Sequence, residues 1–216
     1  PAPIQLTGPA TTISTPIPYG TTWRYQDTGT DPGAGWTSPT YNDTTWPTGP
    51  ATLGWGGGQT TTIGATKPTT TYFRTTFNVT DPTQIGIVDI AAKFTQGAVL
   101  YLNGTEIGRW NMPTGTITNT TTATAYVGGT TDTTPKPFKA PPTLLTTGTN
   151  TLTAEVHGWR NGSGKVFFDL QATLLGKNGD TTPPTAPVAT IAPIASPAGM
   201  DITWTPATDA SLGGYL

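Results

Sequence analysis

AVLYLNGTEIGRW, residues 98 to 110, decides the fold. Asn103-Gly104 sits between two apolar-rich runs, and both residues tolerate the positive φ of a type I′ turn, so the stretch reads as a β-hairpin. With a two-residue turn, Leu102 faces Thr105 and Leu100 faces Ile107, which gives the pair one apolar face.

The same period of two recurs on both sides of the hairpin. In TTYFRTTFNV, residues 70 to 79, Phe73, Thr75, Phe77 and Val79 alternate with Tyr72, Arg74, Thr76 and Asn78. Val88, Ile90, Ala92 and Phe94 repeat the pattern. In NTLTAEVHGW, Leu152, Ala154 and Val156 share one face, while Thr153, Glu155, His157 and Trp159 share the other, expected to be the exposed one. In KVFFDLQATLL, Val166, Phe168, Leu170, Ala172 and Leu174 point one way. No window repeats apolar residues at helical spacing, and Thr, Gly and Pro are poor helix formers. Six or more strands without helices to cover a parallel sheet predict an all-β chain, an antiparallel β-sandwich. With those inward faces as one core, Phe168→Ala is expected to cost about 3–5 kcal/mol, and Thr153→Ala no more than about 0.5–1 kcal/mol.

Composition narrows the function. Charged residues are 10% of the 216, threonine fills about a quarter, and seven Trp, seven Tyr and six Phe concentrate the apolar surface in large rings. A net charge of -2 without a basic cluster argues against nucleic acid, which is bound by releasing counterions to clustered Lys and Arg, and against anionic membrane surfaces. No apolar run reaches the length of a membrane span. Without cysteine there is no disulfide framework or thiolate metal site.

WPTGPATLGWGGGQTTT, residues 46 to 62, lacks the Lys of a phosphate loop and a following helix, so its glycines serve turns. It reads as an Ω-like loop pinned to the sandwich by Trp46 and Trp55. His157 is the only histidine, and Glu106 and Glu155 are the only glutamates, set on separate strands, so no catalytic constellation is expected. Asp27, Asp31 and Asp43 offer either oxygen ligands for a structural calcium or caps of Asx turns. Flat rings beside donors suit sugars, whose faces are apolar and rims polar. The ligand-binding candidates are Trp110, Trp159 and Trp36, with Arg109, Asn111 and Arg160 as rim.

Residues 21 to 176 form the main predicted domain, after an extended segment at 1–20. TTWRYQDTGTD, the Trp at 36, YNDTTWPTGPATLGWGGG, TYFRTTFNV, GAVLYLNGTEIGRWNMPTGT, LLTTGTNTLTAEVHGW and FFDLQATLLG together resemble a jelly-roll module of the galactose-binding-like type. Where similar modules carry two acidic residues, this chain has Thr95 and Gln96. DTTPPTAP marks a linker over 177–186. Residues 187 to 216, with DITWTP and GGY, resemble the opening of a fibronectin type III domain, an immunoglobulin-like sandwich, with Trp204 at the place of its core tryptophan. The resemblance implies a non-catalytic recognition or adhesion module of a larger extracellular or virion (phage tail-type) protein, with glycans and other copies or subunits as partners. A purely structural spacer is the alternative it leaves open.

Overall fold

The computed structural model describes residues 12–127, 133–160 and 165–177, and the backbone of 188–195 and 198–205. The alternating runs form two facing sheets. One holds β1 (Thr12–Ile17), β4 (Leu53–Trp55), β5 (Thr61–Thr62), β7 (Ile85–Phe94), β10 (Lys136–Ala140) and β12 (Val166–Gly176). The other holds β2 (Thr22–Gln26), β3 (Thr48–Pro50), β6 (Thr70–Val79), β8 (Gly97–Leu102), β9 (Thr105–Trp110) and β11 (Gly148–His157). The first runs in the order β10-β7-β12-β4-β5 with β1 also on β12, and the second in the order β3-β2-β6-β11-β8-β9. All these pairs are antiparallel except β4 with β5. The chain is an all-β sandwich, as its periodicity predicts.

The inward sets meet as expected. Leu152, Ala154 and Val156 of β11 and Phe73 and Phe77 of β6 join Val88, Ile90, Ala92 and Phe94 of β7 and Phe168, Leu170 and Ala172 of β12 in one buried core. Its centre is a ring cluster. Phe73 stacks on Phe168 at 4.1 Å, and Trp23 meets the same ring edge-on at 4.9 Å, so three strands from two sheets share one contact.

The hairpin forms on Asn103 (φ 49°) and Gly104 (φ 89°), with Leu102 opposite Thr105. The expected pairing of Leu100 with Ile107 does not occur: an irregularity between Leu100 and Tyr101 sets Gly108 opposite Leu100. One extra residue in β9 reverses the facing of everything after it.

The glycine-tryptophan stretch is corrected too. It carries β3, β4 and β5 in place of a single loop, crossing from one sheet to the other. Trp46 and Trp55 are buried as expected. Gly54 is required by closeness, because a Cβ there would lie 2.0 Å from the Val166 carbonyl oxygen of β12. The segment set apart at 1–20 also contributes: β1 pairs with β12, and Ile17 enters the core.

The face of β11 that carries Thr153, Glu155 and His157 points away from the core but is buried, against expectation. Carbonyls of two distant segments reach it, Trp36 and Ser38 bonding Arg74 and Thr121 bonding His157. Strand period fixes the facing of a side chain, and these segments decide its exposure.

Thr12–Gly176 is one compact unit, and a second contains the antiparallel hairpin of β13 (Val188–Ala195) and β14 (Ala198–Thr205), where Trp204 stands opposite Ala189. Residues 1–11, most of the linker and its flank (178–187), the side chain of Trp204 and residues 206–216 with GGY lie outside what is described.

Phe168→Ala removes the ring that Trp23 and Phe73 share and should cost about 3–5 kcal/mol in urea melts. Thr153 Oγ1 is buried without a hydrogen-bond partner among the described residues. Thr153→Val keeps the shape and removes that orphan, so it should leave stability unchanged or raise it, while Thr153→Ala should cost about 1 kcal/mol. A loss with Thr153→Val matching that of Phe168→Ala would refute this packing.

Candidate functional site

The ligand-binding candidates divide among three places. Had the two-residue register of the hairpin continued, Trp110 would face outward. The bulge turns it inward, where it packs on Phe94 at 5.7 Å under the Lys136 ammonium, 5.1 Å from its ring centroid. Trp110 is a core-edge residue and not an exposed shelf. The same shift puts Arg109 on the outer face, bound to both Glu106 oxygens at 2.7 Å and to the carbonyls of Pro113 and Gly115. Asn111 is likewise committed to backbone. Neither serves as the rim of a Trp110 site.

Trp36 lies on the outer face of the second sheet, edge-on to Tyr72 (4.9 Å) and Tyr101 (5.6 Å). Its segment is held by Arg74, whose side chain is 2% exposed. The Arg74 guanidinium donates to Asp43 Oδ2 at 2.8 Å, to Ser38 O at 3.1 Å and to Trp36 O. Asp43 Oδ1 also faces Arg24 Nε at 3.3 Å. A buried guanidinium with every nitrogen bonded is stable where an unpaired one would not be.

Next to Arg74 on this face, Tyr101 Oη donates to Glu155 Oε1 at 2.5 Å. Thr70 donates its single hydroxyl proton to Asn119 O at 2.8 Å, so toward His157 Nδ1, 3.0 Å away, it accepts. Thr121 O, 2.8 Å from the same nitrogen, also accepts, which fixes a proton on Nδ1. Nε2 lies 3.2 Å from Glu155 Oε2 without hydrogen-bond geometry. Burial, then the Glu155 charge, pushes the Tyr72 and Tyr101 hydroxyls well above their ordinary range, so both stay protonated. The His157 ring is fully buried and ties β11 to the 118–121 segment.

The three aspartates go separate ways. Asp27 accepts from Gly64 N, Asp31 from Gly33 N at 2.9 Å in an Asx turn, and Asp43 holds two arginines. Among the described residues, no group of three His, Cys, Asp or Glu could hold a metal ion.

Trp159 is the candidate that faces outward with company. It meets Tyr126 at 5.6 Å and 62°, and the Arg160 guanidinium lies 4.0 Å from its ring centroid. Tyr126 is 66% exposed. Its neighbours on both sides are clamped by amide side chains. Asn111 donates to Ala125 O at 2.8 Å and accepts from Ala125 N at 3.1 Å. Gln96 does the same to Val127, at 2.6 and 3.0 Å. Two side chains thus imitate the ladder of a neighbouring strand and present Tyr126 between them. Gln96, at a position where similar modules are acidic, has a neutral structural task, and Thr95 beside it accepts from Phe167 N at 3.3 Å. Tyr126 and the clamping role of Gln96 were not among the sequence candidates. The available signal was a lone ring in TTTATAYV, without an apolar partner at strand spacing.

No protein-family profile matches the sequence, and no curated protein does. Among solved structures, the chain is similar to the β-glucuronidase of Ruminococcus gnavus without ligand, at 11% identity and a TM-score of 0.50, over 98% of this chain and 38% of that one. The same enzyme in complex with uronic deoxynojirimycin gives 11%, 0.50, 98% and 39%. A calcium-binding mutant of Bacteroides uniformis β-glucuronidase 2 gives 17% identity and a TM-score of 0.45, over 76% of this chain and 18% of that one. The chain therefore spans well under half the length of these enzymes, and the likeness is one of fold.

Asn111→Ala removes three hydrogen bonds and puts a Cβ without a polar group at φ 53°. It should cost about 2–3 kcal/mol in urea melts and release the Tyr126 ring, read as narrower dispersion of its NMR signals. Glu106→Ala, which breaks a partly exposed pair, should cost about 1 kcal/mol or less. Equal losses for the two would refute the clamp.

Proposed function

We propose that the sandwich is a non-catalytic recognition module of a larger modular extracellular or virion protein, and that it holds a surface glycan at Tyr126 and Trp159. One observation carries this reading: Tyr126 is exposed, yet fixed from both flanks by Asn111 and Gln96. An aromatic ring held ready loses little freedom on binding, and a pyranose face can lie on it while polar groups meet the rim. Trp159 closes a corner with Tyr126, and Arg160 supplies a charged donor beside it. The resemblance of the sandwich to galactose-binding-like modules supports the reading, as does the likeness of residues 187–216 to a fibronectin type III opening. The buried His157, whose Nδ1 bonds the Thr121 carbonyl, supports its non-catalytic part. The glucuronidase likeness supports the sandwich and adds no residue to the site.

A structural spacer that contacts other protein copies is the second reading. It is favoured by the packing of Trp36, Trp46, Trp55 and Trp110 within the fold. A glycan array with the full chain separates the two. Recognition predicts binding at millimolar concentration or better, lost in Trp159→Ala and Tyr126→Ala with the melt unchanged. An empty array supports the spacer, and binding indifferent to both changes overturns the Tyr126–Trp159 site.

A further inference from the structure

A second surface feature lies at the other end of the same sheet, beyond Arg74. Thr22, Arg24, Asp43, Thr48, Arg74 and Thr76 line a cleft of about 350 Å³. Its polar groups are unevenly committed. Arg74 is consumed by Asp43 and the loop carbonyls. Arg24, 38% exposed, spends Nε on Asp43 and Nη1 on the carbonyls of Asp43 and Trp46, and its Nη2 makes no hydrogen bond to the described residues. Two guanidinium groups against the one Asp43 carboxylate leave a surplus positive charge. Thr22, Thr48 and Thr76 are exposed on the rim, and their hydroxyls are likewise uncommitted among the described residues.

We propose that this cleft binds a single uronate residue, the carboxylate on Arg24 Nη2 and the ring hydroxyls on the three threonines. The charge selects the class. A monoanion neutralises the surplus, whereas a phosphate dianion would exceed it and face Asp43. Guanidinium to carboxylate is a charge-assisted contact, stronger than its neutral counterparts. Among the described residues no aromatic ring lines the cleft, so it recognises by charge and hydroxyl and does not stack. The volume lies in the lower range of small-ligand sites, which suits one sugar residue. The site is separate from Tyr126 and Trp159 and stands whether or not that corner binds a glycan.

The test is a titration of the isotope-labelled full chain by amide NMR with sodium D-glucuronate and D-galacturonate, beside D-glucose, sodium acetate and inorganic phosphate. The proposal predicts saturable shifts at Arg24, Thr48 and Thr76 with at least one uronate at millimolar concentration. Glucose and acetate, each offering half of the contacts, should bind at least about tenfold more weakly. Arg24→Gln should weaken uronate binding about tenfold or more, and the double change Thr48→Val with Thr76→Val, on the exposed rim, several-fold. Trp159→Ala should leave it unchanged, which separates this cleft from the glycan corner. Absence of saturable shifts with either uronate, equal binding of acetate or phosphate, or uronate binding indifferent to the threonine changes would overturn the proposal, including where Arg24→Gln does not fold.

Discussion

The outer face of the second sheet is organised by the Arg74 guanidinium. A cation on a central strand, out of contact with water, is tolerated only with its donors met, and here Asp43 and the carbonyls of Trp36 and Ser38 meet them. All three partners belong to the segment between β2 and β3, which is thereby drawn over β6. Trp36 then seats on Tyr72 and Tyr101, and Tyr41 lies under the Arg74 guanidinium at 5.2 Å. On the neighbouring strand, His157 bonds the Thr121 carbonyl of the 118–121 segment, and Glu155 accepts from Tyr101. A polar sheet face becomes a second interior, held by hydrogen bonds in place of apolar burial.

That closure bears on function. With the middle of the face covered, the two proposed sites lie at its margins: the Tyr126–Trp159 corner at one end and the hydroxyl-lined cleft by Arg24 at the other. Rigid presentation suits both. Asn111 and Gln96 hold the backbone beside Tyr126, and Asp43 holds Arg24 through the same carboxylate that holds Arg74.

The core was legible in the sequence because a strand's period of two is strict. Leu152, Ala154, Val156, Phe73 and Phe168 needed no further information to be placed inward. The Asn103-Gly104 turn was legible for a similar reason, since few residue pairs accept its dihedral angles. The bulge beside Leu100 had no such signal, and it reversed the facing of Arg109 and Trp110, turning the ring inward and the cation outward. The burial of Thr153 and Glu155 was hidden for another reason. Their covers lie far off in sequence, and a threonine-rich strand face looks solvated until something is seen upon it. Trp159 kept its outward place, but the residue that completes its corner, Tyr126, depends on amides contributed from positions 96 and 111.

The most direct test of the Arg74 account is amide hydrogen exchange of the native chain beside Arg74→Met. The amides of Ser38, Tyr41 and Trp46 donate within the covering segment, to Gly35, Ser38 and Asp43. If Arg74 holds that segment down, these three exchange slowly in the native chain and become fast together in the variant, while the amides of β7 and β12 keep their protection. Slow exchange that survives the substitution, or fast exchange already present in the native chain, would contradict the claim that one guanidinium closes this face.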